Sequence, residues 1–314
     1  MLLYKDSRLL NHDTGHHPES AARIEPTLKA IQAISQINGV AIEYPSWEPA
    51  TLAQLQRVHP LEYTQSIEQV ARSGGGNLDP DTVVSSESFE VARLSAGAVC
   101  DAVRRISHGP HRAAFCLIRP PGHHALSDRA MGFCLFNNIA VGAREALDSC
   151  GFQRVLIVDW DVHHGNGTQD IFYADKSVPF FSMHRQSFYP FTGSASETGF
   201  AQGLGANRNV PIQFGTPRAE ILATFQHELE EFAALNPPDL VMISAGFDAH
   251  RDDPVGSLGL LTEDFAELTA VVCGIANRYA QGKIVSVLEG GYHPQALAES
   301  VLLHLQGLAT AIEA

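Results

Sequence analysis

Four consecutive aliphatic residues, Val155-Leu156-Ile157-Val158, run without a break into Asp159-Trp160-Asp161-Val162-His163-His164-Gly165-Asn166-Gly167. No turn residue separates the apolar run from the acids and imidazoles, and that limits the folds open to the chain. An uninterrupted aliphatic run between helix-like segments is the pattern of a strand buried on both faces of a parallel sheet. Its polar sequel then emerges at the sheet's C-terminal edge, where loops converge on a rigid support and ligands bind. Asp161 and His163, two residues apart, point to the same side of an extended chain, with Cα atoms roughly 6.6 Å apart. A carboxylate oxygen and an imidazole nitrogen can close that gap around one divalent ion, at about 2.0 to 2.2 Å each for zinc. Asp159 points the same way, and reads either as a third ligand or as an acceptor behind the ligands.

The same switch from apolar to polar recurs. Ala113 to Ile118 reads as a buried strand running into Arg119-Pro120-Pro121-Gly122-His123-His124, whose prolines and glycine fix the turn. Imidazole titrates near neutral pH, so a rigidly held His123/His124 pair suits general acid/base work. Leu240 to Ile243 reads as a strand ending in Ser244-Ala245-Gly246-Phe247-Asp248, and Ile284 to Leu288 as one ending in Glu289-Gly290-Gly291-Tyr292. Met1 to Tyr4 and Val178 to His184 are further strand candidates. Four strand-like runs thus deliver His123/His124, Asp161/His163, Asp248 and Tyr292 to one edge. Buried carboxylates without partners cost several kcal/mol, so a cluster of Asp159, Asp161 and Asp248 is tolerable chiefly where a cation neutralises it.

Helical patterns separate these runs: about Ser20 to Ile37, Leu61 to Ala71, Ser86 to Ile106, a stretch after Asn138 to about Ser149, Thr216 to Ala234, Thr262 to Tyr279 and Pro294 to Ala311. The alternation predicts an α/β fold with a parallel sheet sandwiched by helices. Segment 73–82, with Gly74, Gly75 and Gly76, reads as a flexible surface loop with no phosphate cradle. Segment 185–205 is long enough to be a functional lid or wall. His16 and His17, ahead of Pro18, read as rim or loop-packing residues.

No linker divides the 314 residues, so residues 1–314 are expected to form a single domain. No apolar run is long enough to span a membrane and the first residues lack a secretory core, so the expectation is a cytoplasmic protein without membrane contact. Five cysteines without a Cys-x-x-Cys pair read as ordinary buried thiols. A formal charge of −14 disfavours nucleic acid as a partner and suits a cationic substrate.

The motifs Arg-Pro-Pro-Gly-His-His at 119–124, Asp-Val-His-His-Gly-Asn-Gly-Thr-Gln at 161–169, Ser-Ala-Gly-Phe-Asp at 244–248 and Glu-Gly-Gly-Tyr at 289–292 occur in one order. In that order the chain resembles the zinc-dependent histone deacetylase and acetylpolyamine amidohydrolase superfamily, from the His17-Pro18-Glu19 loop to the last strand. The resemblance implies an arginase-like, single-domain fold. It implies one catalytic zinc held by Asp161, His163 and Asp248, polarising an acyl carbonyl and acidifying a water. It makes His123 and His124 the proton-transfer pair, Tyr292 the oxyanion donor, and Asp159 the acceptor orienting His123. The partner of His124 is Asn166 where one branch has Asp, which resembles the class II branch and implies a less basic His124. Asp159, Asp161 and Ser182 match a structural monovalent-cation site, expected to hold potassium.

By the same resemblance a substrate tunnel is walled by Gly132, Phe133 and Tyr189, the last replacing the usual Phe, with Asp79 or Asp81 at the rim. Val255 stands where polyamine-selective members carry an acid, which favours an acyl-lysine peptide or protein over an acylated polyamine or other small acylated amine. The expected function is zinc-dependent removal of acetyl or other acyl groups from lysine side chains. A ureohydrolase-like or silent binding protein on the same fold is the reading from a different class. The sequence leaves acyl-chain length, zinc against iron(II), and homo-oligomerisation open.

Overall fold

The structure, a computed structural model, describes residues 1–32 and 34–313, with side chains to residue 310. In chain order the strands are β1 (Leu2–Tyr4), β2 (Gln36–Ile37), β3 (Val40–Ala41), β4 (Gly76–Asn77), β5 (Val83–Val84), β6 (Ala113–Cys116), β7 (Val155–Asp159), β8 (Phe180–Arg185), β9 (Asn207–Ile212), β10 (Leu240–Ala245) and β11 (Ile284–Leu288). The helices are α1 (Ala21–Ile31), α2 (Leu52–Leu55), α3 (Leu61–Arg72), α4 (Ser88–His108), α5 (Asn138–Ser149), α6 (Asn166–Phe172), α7 (Arg218–Leu235), α8 (Asp264–Tyr279) and α9 (Pro294–Glu313).

Seven strands form one sheet in the order β1-β6-β11-β10-β7-β8-β9. Every pairing in it is parallel. The aliphatic runs of β6, β7, β10 and β11 are buried along their whole length, because helices flank the sheet and leave no strand face to water. α4 packs on α5, while α1 packs on α9, α9 on α8 and α8 on α7. On α4 the small residues Ala92, Ala96, Val99 and Val103 are all buried. The strands that end in the four polar clusters are consecutive in the sheet, β6-β11-β10-β7. Their ends therefore fan into one shallow bowl at the sheet's C-terminal edge.

Three expectations need correction. The first helix ends at Ile31 instead of running to Ile37, and Ala33 lies outside the described residues. The chain turns back at Asn38 and Gly39, at φ 50° and 85°, and pairs Ile37 with Val40. An Asn-Gly pair between apolar residues is the two-residue hairpin signal, and here it overrides the helical periodicity. Segment 73–82 is not free of regular structure: Gly76–Asn77 pairs with Val83–Val84, holding Asp79 and Asp81 at the tip of a small hairpin. Finally, β9 and α6 lie in segments the sequence reading left unassigned. β9 is an edge strand, the place where Pro211 and two asparagines are tolerated.

Candidate metal centre and active site

Asp159 is the last residue of β7, and the chain then leaves the extended path. Asp161 and His163 do not continue the strand: Nδ1 and the backbone N–H of His163 donate to Asp161 Oδ1 at 3.0 and 2.9 Å, a local turn that swings the imidazole over the carboxylate. Asp248 arrives from the loop after β10, with Oδ1 accepting Val162 N at 2.9 Å and Oδ2 at 3.2 Å from His163 Nδ1. The ligand atoms of Asp161, His163 and Asp248 lie within 4.8 Å of one another, and all three residues are buried.

The donor set fits a divalent cation. Asp248 Oδ2 is buried without a hydrogen-bond partner, in a place where an isolated carboxylate oxygen is costly. Gly246 and Gly290 close the cradle, because a Cβ on either would overlap the carboxylate oxygens of Asp161 or Asp248. Burial disfavours a charged His163, but the flanking carboxylates, Asp161 bonded to Nδ1 and Asp248 beside it, outweigh burial and raise the imidazole to about 10. Whatever sits between the two acids must be positive, either that proton or a bound cation. A three-residue N/O set, short of the four ligands of a closed structural site, is the arrangement of catalytic zinc sites.

Two histidines flank this cradle in different electrostatic states. His123 Nδ1 donates to Asp159 Oδ2 at 2.9 Å. Burial works against its charge, yet Asp159 and Asp161 together hold it up at about 10. Its ring lies 4.1 Å from that of His124, which donates from Nδ1 to the neutral Asn166 Oδ1 at 2.7 Å. Burial, then the charges of His123 and His163, push His124 well below the ordinary imidazole range. Asn166 Nδ2 points to Met131 Sδ at 3.4 Å, so its oxygen is the face turned to His124. With Nδ1 committed as donor, His124 carries its free lone pair on Nε2.

The expected channel residues surround these groups. Tyr189 meets His124 edge-on at 5.2 Å, and Phe133 meets Tyr292 at 5.7 Å. Gly132 and Phe133 have φ of 56° and 70°, and a side chain on Gly132 would strike the His124 ring, so close backbone approach requires glycine there. Ser182 is aligned with Asp159 across β7 and β8, and Asp159 Oδ1 accepts Asp161 N at 3.1 Å, so the three residues expected for a monovalent cation are neighbours. Asp79 accepts Asp81 N at 3.0 Å at the hairpin tip, and His17 joins that tip to the channel by bonding Asp81 O at 3.1 Å and packing edge-on to Phe133 at 4.6 Å. These contacts are of the loop-packing kind that the sequence offered for His17 beside a rim position. Val255 is half-buried on the loop after Asp248.

Several supporting residues escaped the sequence reading. Glu289, fully buried, accepts from Gly122 N, His123 N and Ser244 Oγ at 2.7, 3.2 and 2.9 Å, tying three strand-end loops together. Phe188 stacks on His163 at 5.2 Å, and Thr82 Oγ1 accepts Phe133 N at 3.2 Å. Arg23 lies 4.9 Å under the Tyr292 ring and donates to the carbonyls of Glu289 and Gly291. Arg23 shares its helix side with Glu19, Ser20 and Thr27, so its local sequence reads as a polar face and gives no signal of such a role.

Comparison with known proteins agrees with this geometry. The family model "Histone deacetylase domain" matches residues 17–308. A histone deacetylase-like amidohydrolase of Pseudomonas aeruginosa is 38% identical over 285 residues, spanning 88% of this chain and 74% of that protein. The polyamine deacetylase HDAC10 of Homo sapiens is 40% identical over 271 residues, spanning 82% of this chain and 40% of that longer protein. Among solved structures, the HDA15 HD domain superposes with a TM-score of 0.90 at 34% identity, covering 99% of this chain and 89% of that one. The chain belongs to the histone deacetylase family, a family of amide-bond hydrolases.

Proposed function

We propose that the protein is a zinc-dependent deacylase that removes acetyl or other acyl groups from the ε-amine of lysine in peptides or proteins. The observation that carries this reading is the convergence of Asp161, His163 and Asp248 beside the His123/His124 pair and the Tyr292 ring. Zinc, when bound there, supplies Lewis acidity: it polarises an amide carbonyl and lowers the pKa of water.

The chain's own groups do the rest. Nε2 of His124 takes a proton from the attacking water and returns it to the leaving amine, while Asn166 keeps the proton on Nδ1. His123, held charged by Asp159, adds positive potential where the oxyanion develops. Burial raises the Tyr292 phenol far above its ordinary range, so it remains a donor to that oxyanion at working pH. Phe133 and Tyr189, whose rings meet Tyr292 and His124 edge-on, are assigned to guide a long alkyl stem, and Asp79 is assigned to accept from a peptide backbone at the rim. Asp159, Asp161 and Ser182 are assigned to a potassium ion that offsets the acidic cluster. Five free cysteines, four of them buried, fit a reducing cytoplasm.

The second reading, an acylated polyamine as substrate, is favoured by the chain's net charge and by the similarity to a polyamine deacetylase. The apolar Val255 beside the channel weighs against it. Turnover of acetyl-lysine peptides against acetylated polyamines decides between them. Faster cleavage of peptides supports the lysine reading, and faster cleavage of polyamines replaces it with the second.

A further inference from the structure

Tyr292 stands on an unusually free stretch of backbone. It follows Gly290 and Gly291, the second at φ 125°, a conformation comfortable only for glycine. A hydroxyl that must meet a developing charge within a few tenths of an ångström needs its backbone fastened from outside.

The fastening comes from a carboxylate with no assigned role. Asp253 Oδ2 accepts the backbone N–H of Tyr292 at 2.6 Å and of His293 at 3.2 Å. Its Oδ1 accepts the N–H of Val255 at 2.9 Å and of Gly256 at 3.0 Å. Asp253 is 7% exposed and, among the described residues, joins no ion pair. Its charge is directed wholly at four peptide groups. The loop that carries it is itself rigidly held: Ser257 N donates to Asp248 O at 2.6 Å, and Arg185 donates to the carbonyls of Gly256 and Ser257, each at 3.3 Å. Arg185 in turn lies 4.3 Å over Phe188, the ring stacked on His163. The frame that fixes two metal-cradle residues thus also holds the anchor of Tyr292.

Resting on the reading of Tyr292 as oxyanion donor, we infer that Asp253 is a positioning residue for catalysis, setting the Tyr292 hydroxyl relative to the metal cradle and to the channel wall at Val255. Only an acceptor-only group satisfies four converging N–H donors; an amide at this position would turn Nδ2–H toward one of the pairs. Asp253 acts through Tyr292 and touches no substrate.

The test is a double-mutant cycle on zinc-loaded protein, with Asp253→Asn made in the wild type and in Tyr292→Phe, using an acetyl-lysine peptide. In the wild type, Asp253→Asn is expected to lower kcat about 10- to 100-fold, with KM within about threefold and zinc content unchanged. In the Tyr292→Phe background the further loss should be below about threefold, because the hydroxyl being positioned is already gone. Equal losses in both backgrounds, or an Asp253→Asn enzyme with wild-type kcat, overturn the inference. Should Asp253→Asn not fold, Asp253→Glu keeps the charge and alters only its reach, and the same non-additivity is required of it. A wild-type protein that cleaves no acylated amine sinks the role of Tyr292 itself, whereas an active wild type with additive losses sinks the positioning role alone.

Discussion

Asn166 Oδ1 lies 2.7 Å from His124 Nδ1, so the histidine that meets Tyr189 edge-on is oriented by a neutral amide. The adjacent His123 is oriented by a carboxylate at 2.9 Å. The two neighbouring imidazoles thereby sit in opposite electrostatic surroundings, His123 pushed up by its carboxylates and His124 pushed down by burial and its cationic neighbours. The Asn166→Ala variant loses the acceptor that fixes the His124 tautomer. It is expected to lose about 10- to 100-fold in kcat/KM while retaining its metal, as removal of an orienting partner commonly does. Steady-state kinetics alongside metal analysis check this, and unchanged kinetics would remove Asn166 from the mechanism.

Tyr292→Phe keeps the ring that packs edge-on to Phe133 and over Arg23 but deletes the donor. The expected result is a loss of about 100- to 1000-fold in kcat, with metal content and melting temperature near wild type. Near-normal turnover would contradict the oxyanion role.

Behind the site, Glu19 is fully buried and accepts two bonds from Arg119 at 2.9 and 2.8 Å and one from Arg23 at 3.2 Å. Burial alone would raise this carboxyl, but Arg119, His12 and Arg23 outweigh it and hold it at about 2, below the usual 4.5. Because the folded value is depressed, its stabilisation is complete above about 4.5 and is lost as pH falls through about 2. Glu19→Gln strands two buried guanidiniums and should cost about 3 to 5 kcal/mol at neutral pH. Chemical denaturation across the acid range should show the gap between wild type and variant narrowing as pH drops through that window. A gap that stays constant would contradict the depressed value.

Val255→Glu places a carboxylate on the half-buried loop after Asp248, where the proposed function puts the substrate's path. The ratio of kcat/KM for an acetylated polyamine to that for a neutral acetyl-lysine peptide should rise by about tenfold, the scale of one favourable charge contact in a partly desolvated site. Parallel kinetics on the two substrates measure it, and an unchanged ratio would place Val255 away from the substrate's path.

The parts of this molecule written locally in the chain were legible in advance. The runs at 155–158, 240–243 and 284–288 each carry their own burial pattern, and each is followed at once by the residue it delivers, so Asp161, His163, Asp248 and Tyr292 could be read together. The order of strands could not, because nothing in the sequence states that β6, β11, β10 and β7 are neighbours. The same limit hid Asp253 and Glu289, whose importance lies in backbone donors roughly 40 and 166 positions away. The helix extended to Ile37 failed for a different reason: a two-residue turn at Asn38 and Gly39 outweighs periodicity that only approximates 3.6.

In the proposed function Asp161, His163 and Asp248 together hold one ion on which amide hydrolysis depends. The most direct test strips the protein of metal and titrates zinc back while following cleavage of an acetyl-lysine peptide, with Asp248→Asn treated in parallel. Turnover should be absent in the stripped protein, rise linearly to one equivalent of zinc and then level off, and Asp248→Asn should recover little at that stoichiometry. Turnover that survives stripping, or that needs a second equivalent to appear, would contradict the account.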